Sequence, residues 1–167
     1  GDIARWNGPF IQGISSYFLS INRGQKSMTL DLRKEGAKKI VFALAEKVDI
    51  LVENFRPGVM ERLGFSYQSI CQQNPRIIYA SVSGFGQTGP YAPKPAFDMI
   101  AQGMGGVVSI TGEPGRPPVR VGFSIGDIGA ALFAAVAILA ALHEREKSGK
   151  GQWVDVAMVD SQVALCE

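Results

Sequence analysis

Asp127 is the carboxylate best placed for chemistry. It stands between Gly126 and a run, Ile128 to Lys147, that is apolar over most of its length, which predicts a helix starting near Asp127 and buried on nearly all sides. The macrodipole and free N–H groups at a helix start favour an ionised carboxylate, and such a group in a partly dry site is a nucleophile or a base. An ordinary N-cap aspartate occupies the same kind of position, and spacing leaves both uses open. Asp98, between Phe97 and the small-residue segment Ala101 to Gly106, has the same two readings. Arg56 and Arg62 flank Pro57-Gly58, where a guanidinium grips a phosphate or stays solvated. Asn54 suits a ligand contact or an Asx turn.

Gly84-Phe85-Gly86-Gln87-Thr88-Gly89 matches G-x-G-x-x-G, but Pro90, Pro93 and Pro95 follow it. Prolines break the helix whose N-terminus would have to hold a dinucleotide's pyrophosphate. A glycine loop, structural or lying over a substrate, is expected instead. Lys147-Ser148-Gly149-Lys150-Gly151 lacks the P-loop frame and reads as a helix end. Cys71 and Cys166 have no metal-ligand spacing, and the single histidine, His143, completes neither a zinc set nor a Ser-His-Asp triad. No metal site is expected.

The elements that would position these groups alternate between two periods. Ser27 to Leu32 is extended in propensity, and Asp49 to Val52 and Ile77 to Val82 are apolar runs of strand length. Between the first two, Ala37, Ile40, Val41, Leu44 and Ala45 repeat on one helical face. Ser66 is placed to cap a helix that ends before Pro75. Trp153 to Val159 reads as a last strand. Strands alternating with helices at this spacing predict βαβ units in a mostly parallel α/β sheet, with ligands at the carboxyl ends of the strands. Asn54-Phe55-Arg56 and Ser83 to Pro90 occupy two such ends. Phe133, Ile138, Leu139 and Leu142 are expected in the core.

The chain has 167 residues, 46% apolar and 19% charged, with a formal net charge of +2. That is a globular composition with too little charge to gather nucleic acid or a membrane surface. The longest apolar run, Ala130 to Leu142, is 13 residues, short of the roughly 18–20 that span a bilayer, so no membrane partner is expected. No signal peptide is visible in Gly1 to Phe10, and an intracellular compartment is the expectation. The chain lacks an initiator Met and stops at Glu167 inside a new periodic segment, which suggests a piece of something longer.

Taken together, Val52-Glu53-Asn54-Phe55-Arg56-Pro57-Gly58 with Arg62-Leu63-Gly64, Ser83 to Tyr91, Thr111-Gly112-Glu113-Pro114, and Gly149-Lys150-Gly151-Gln152 with Asp155-Val156 resemble the class III CoA-transferases. This CaiB/BaiF group includes formyl-CoA transferase, carnitine CoA-transferase and the related α-methylacyl-CoA racemase. The resemblance implies a Rossmann-like parallel sheet with flanking helices, here residues 1–167 as part of a large CoA-binding domain. It also implies a longer chain with a small domain, two interlocked subunits, and coenzyme A and a carboxylic acid as substrates with no tightly bound cofactor. Asp127 then takes the place of the catalytic nucleophile, passing through aspartyl anhydride and aspartyl-CoA thioester intermediates, and the isolated fragment is expected to be inactive. Leu30, Asp31, Leu32 and Arg33, with Asn54, Phe55, Arg56 and Arg62, match positions that line the CoA site. Phe97 and Asp98 match positions beside the reacting centre. In the racemase branch a histidine stands where this chain has Phe97, which cannot move a proton, so transfer is expected over racemisation. A CoA-binding module without turnover is the remaining alternative. The resemblance places the protein in the cytoplasm, or in mitochondria or peroxisomes if the source is eukaryotic.

Overall fold

The computed structural model describes residues 2–167, which fall into two compact units, one ending at Ala37 and the other running from Lys38 to Glu167. In the first unit a 3-10 turn (Ile3–Trp6) precedes a small hairpin of β1 (Phe10–Ile11) and β2 (Ile14–Ser15) and the helix α1 (Ser16–Ile21). The two hairpin residues, Gln12 and Gly13, both take positive φ, 50° and 77°, as a right-twisted two-residue turn requires. Ser15 caps α1 by accepting from Phe18 N at 3.0 Å. Ser27 to Leu32, expected as a strand, is irregular. Its extended propensity finds no ladder partner among the described residues, and a strand exists only when its N–H and C=O groups are paired.

Helix α2 (Glu35–Ala45) leads from the first unit into the second, which continues with β3 (Ile50–Glu53), α3 (Val59–Leu63), α4 (Tyr67–Gln73), β4 (Ile78–Ser83), α5 (Asp98–Met104), a 3-10 turn (Val107–Ile110), α6 (Ile125–Ser148), β5 (Trp153–Ala157) and α7 (Met158–Leu165). The sheet is parallel in the order β3-β4-β5, with Ile50 opposite Ile78 and Tyr79 opposite Trp153. Parallel neighbours need crossover helices, which is why helices alternate with the strands. The central strand is buried on both faces. On one face Ala101, Ala130, Ala134, Val156 and Met158 form a core, with Val82 packed against it. On the other, the Tyr67 ring stacks on Trp153 with centroids 5.8 Å apart and Tyr79 donates its hydroxyl to Phe65 O at 2.9 Å. Ser66 does cap α4, accepting from Ser69 N.

Three expectations need correction here. Ile40 and Leu44 of α2 are exposed, and only Ala37 and Ala45 of the predicted face are buried. The last strand stops at Ala157, because the chain turns into α7 at Met158. Helix α6 is not buried all round. Gly126, Gly129, Ala130, Ala134 and Ala141 face the interior, where small residues let the helix lie close on the sheet, while Phe133 and Leu139 face out, with Val136 at 66% exposure. Apolar composition counts side chains without saying which side meets a neighbour. With 24 residues, α6 is also long and apolar enough by itself to cross a membrane, which the 13-residue run understated because Ile125, Ile128 and two glycines extend it at its start.

Helix α6 runs antiparallel to the strands. Its distal end is held at their amino edge, where the buried Arg145 pairs with Asp49 at 2.9 Å and donates to Arg76 O. Its start therefore lies at their carboxyl edge.

Candidate active site

At that carboxyl edge the parallel register sets the ends of β3 and β4 side by side, and Asn54 Nδ2 bridges them by donating to Val82 O at 2.6 Å. This is a cross-strand tie, not the Asx turn considered from sequence. A cleft of about 680 Å³ opens there, in the size range of small-molecule sites. Asn54, Phe55 and Arg56 line it from β3, Gly84 from the end of β4, and Lys94 and Phe97 from the segment leading into α5. Along α6 the wall is Asp127 followed by Ala130, Ala131, Ala134 and Ala135. Alanines at i, i+1, i+4 and i+5 share one helix face, and their short side chains leave the groove open.

Residues 84–97 form turns and bends, with Gly86 and Gly89 at φ of 80° and 89°. Gln87 N donates to Asp155 Oδ2 at 2.9 Å, and a Cβ on Gly84 would run into Ala96. No helix opens after the glycines until Asp98, so no dinucleotide cradle forms.

Asp127 is not an N-cap. The helix opens at Ile125 behind Ser124, so Asp127 sits in the first turn with its carboxylate free to face the cleft. Among the described residues no hydrogen-bond donor engages it. Burial, and then the negative charge of Asp98, push its carboxyl above the usual carboxylate range. The expected stabilisation of the anion by the helix start is outweighed. Asp98 does not cap its own helix either. It is buried, with Oδ1 accepting from Gly126 N at 2.8 Å and Oδ2 accepting from Gln102 Nε2 at 2.7 Å.

Of the residues singled out from sequence, Asn54, Phe55, Arg56, Phe97 and Asp127 share the cleft and Asp98 lies behind it. Arg62, exposed in the last turn of α3, is not on the cleft wall. Leu30, Asp31, Leu32 and Arg33 belong to the first unit, where the Arg33 guanidinium grips Asp31 through two bonds of 2.9 and 3.1 Å. That contact lowers the Asp31 carboxyl and raises Arg33. Sequence reading missed Lys94, the alanine wall and Gln102. The alanine spacing was a usable signal, as was an amide inside the apolar stretch 97–110, since a buried amide needs partners. Among the described residues no cluster of His, Cys, Asp or Glu could hold a metal ion.

The family model described as CoA-transferase family III matches residues 1–167. An acetyl-CoA:oxalate CoA-transferase of Acetobacter aceti is 48% identical over the whole of this chain and 43% of its own length. A succinyl-CoA:mesaconate CoA-transferase of Haloarcula hispanica is 44% identical, again over the whole chain and 44% of its length. The crystal structure of a CAIB/BAIF family protein from Brucella suis superposes with a TM-score of 0.93 at 39% identity, covering 99% of this chain and 45% of that one. The chain thus spans less than half the length of the curated relatives it matches. Sequence identity, shared fold and an unbroken match from end to end agree: the chain belongs to CoA-transferase family III.

Proposed function

We propose that the full-length protein transfers coenzyme A between an acyl-CoA thioester and a carboxylic acid, with Asp127 as nucleophile, and that residues 1–167 are part of its large CoA-binding domain. The observation that carries this reading is the Asp127 carboxylate, unengaged by any donor among the described residues, on the wall of a cleft large enough for a substrate. Burial and the Asp98 charge leave its anion poorly stabilised, which makes it more basic and a better nucleophile.

In this reading an Asp127 oxygen attacks the thioester carbonyl, the C–S bond breaks, and CoA departs as the thiolate as a mixed acyl-aspartyl anhydride forms. The thiolate attacks the aspartyl carbonyl, releasing the donor acid as its carboxylate and leaving an aspartyl-CoA thioester. The acceptor carboxylate attacks that thioester, the C–S bond at the aspartyl carbon breaks to expel CoA thiolate as a second anhydride forms, and the thiolate attacks the acceptor's acyl carbon to give the new acyl-CoA and free Asp127. Each step exchanges one anionic nucleophile for another, with no net proton or electron transfer.

Asn54, Phe55, Arg56 and Lys94 line the cleft in which this reading seats the CoA chain, and the Arg56 and Lys94 cations suit its phosphates. For Leu30, Asp31, Leu32, Arg33 and Arg62 the family resemblance is the support. The names of the relatives make short dicarboxylates the acids to try first. In the same reading two full-length subunits interlock as a homodimer. The racemase alternative has no base at Phe97, which presents only a ring to the cleft. The test is to incubate the full-length enzyme with acyl-CoA and map peptides by mass spectrometry for a hydroxylamine-sensitive adduct on Asp127. Absence of the adduct, together with full activity in Asp127→Ala, would sink the proposal.

A further inference from the structure

Gln102 is fully buried on α5 and uses both ends of its amide. Nε2 donates to Asp98 Oδ2 at 2.7 Å and to Phe123 O at 3.3 Å, and Oε1 accepts from Val121 N at 2.9 Å. Asp98 in turn accepts from Gly126 N at 2.8 Å. Two side chains of one helix thus hold the incoming segment at residues 121, 123 and 126, immediately before Asp127. The fit is close: a Cβ on Gly126 would stand 2.9 Å from Asp98 Oδ1 and 3.2 Å from Ala101 Cβ. From the other side Gln162 of α7 donates to Ile125 O at 3.1 Å. A buried amide with as many partners as Gln102 is costly to leave half satisfied, which favours this placement of its side chain.

We propose that Gln102 is a positioning residue for the transfer reaction: by gripping Asp98 and the backbone of residues 121–123 it fixes the turn that presents Asp127 to the cleft and the carboxylate that stands behind it. The proposal rests on Asp127 being the nucleophile. The charged groups facing Asp127 are Asp98 from α5 and, on the cleft walls, Arg56 and Lys94. On α7 the neighbour that reaches this turn, Gln162, is uncharged. Asp98 is the one that opposes ionisation of Asp127, and Gln102 is what holds Asp98 in place.

The test uses the full-length enzyme, with the rate of the hydroxylamine-sensitive Asp127 adduct measured against pH. Gln102→Met keeps the bulk but removes both ends of the amide. Asp98 Oδ2 then loses the donor that holds it, and a carboxylate freed to swing away from Asp127 opposes its ionisation less. The acid limb of the profile moves to lower pH, and kcat falls roughly 10- to 100-fold through misplacement with KM for acyl-CoA within about twofold. Gln102→Glu gives the second reading. As the introduced carboxyl ionises against Asp98, the variant's profile falls on its alkaline side relative to the wild type measured alongside. A purely structural residue would scale the folded fraction and leave both profiles unmoved. Unmoved profiles in folded variants overturn the proposal, and so does failure of both variants to fold, which would leave Gln102 a structural role alone. An adduct on wild-type Asp127 with unmoved variant profiles removes the Gln102 proposal only. No adduct in the wild type, together with full activity in Asp127→Ala, removes the reading beneath it.

Discussion

Replacing Gly105 by Ala tests whether the α5–α7 crossing positions the active turn. A Cβ there would collide with Gln162 Cβ and stand 2.8 Å from Ala101 O, where ordinary contact begins at 3.4 Å. Neither neighbour is the loose end of a side chain: Gln162 Cβ belongs to α7, which must shift away, and Ala101 O belongs to α5 itself, whose last turn must open by about 0.6 Å to reach 3.4 Å. Overpacking of this kind costs about 1–3 kcal/mol. Gly105 has ordinary φ of -79°, so the substitution also recovers about 0.4–1 kcal/mol from the unfolded chain. The net expectation is a destabilisation of about 0–2.6 kcal/mol. Displacing α7 also draws Gln162 from Ile125 O, so kcat falls in the folded enzyme. Gly103→Ala is the control, since nothing lies within 4 Å of its Cβ position, and it should stabilise by about 0.4–1 kcal/mol. Urea unfolding of the full-length enzyme at unchanged m-value, with kcat measured in parallel, reads both. Equal stability of the two variants would refute the packing argument.

Three further outcomes follow from the same contacts. Because its carboxyl is raised above the usual carboxylate range, Asp127 holds its proton more tightly when folded; its contribution to stability is full below the unfolded value and lost as pH rises through the folded one. Asp127→Asn should therefore match the wild type in acid and become relatively more stable toward neutral pH while losing transfer, as urea titrations at several pH values would show. Arg145→Ala leaves Arg76 O without its donor and should cost about 1–3 kcal/mol. It lies 18 residues along α6 from Asp127, about 27 Å at the helical rise, so kcat and KM of the folded enzyme should not change. Ser66→Ala removes the α4 cap and should cost about 0.5–2 kcal/mol without affecting the rate.

Much of the architecture was legible because it depends on local pattern. The apolar strand runs before Asn54 and Ser83, the Ser66 cap and the prolines after Gly89 each act within a few residues of themselves. What failed was context. Ser27 to Leu32 has strand propensity, but a ladder also needs a neighbour. Ile40, Phe133 and Leu139 are apolar, but no property of an isolated residue says whether another surface will cover it. Asp127 was legible as a carboxylate at a helix start, and its distance from a true cap was not, because boundaries shift by a residue or two.

Sequence alone determined the alternating elements, the parallel sheet they imply and the family, since these follow from residue periodicity and from motifs kept in order. Only the tertiary structure decided the state of Asp127. Its neighbours Asp98 and Gln102 lie 29 and 25 residues away along the chain and meet its turn only when α5 packs on α6. Burial and a second carboxylate's charge act through space, and pattern along a chain carries no record of them.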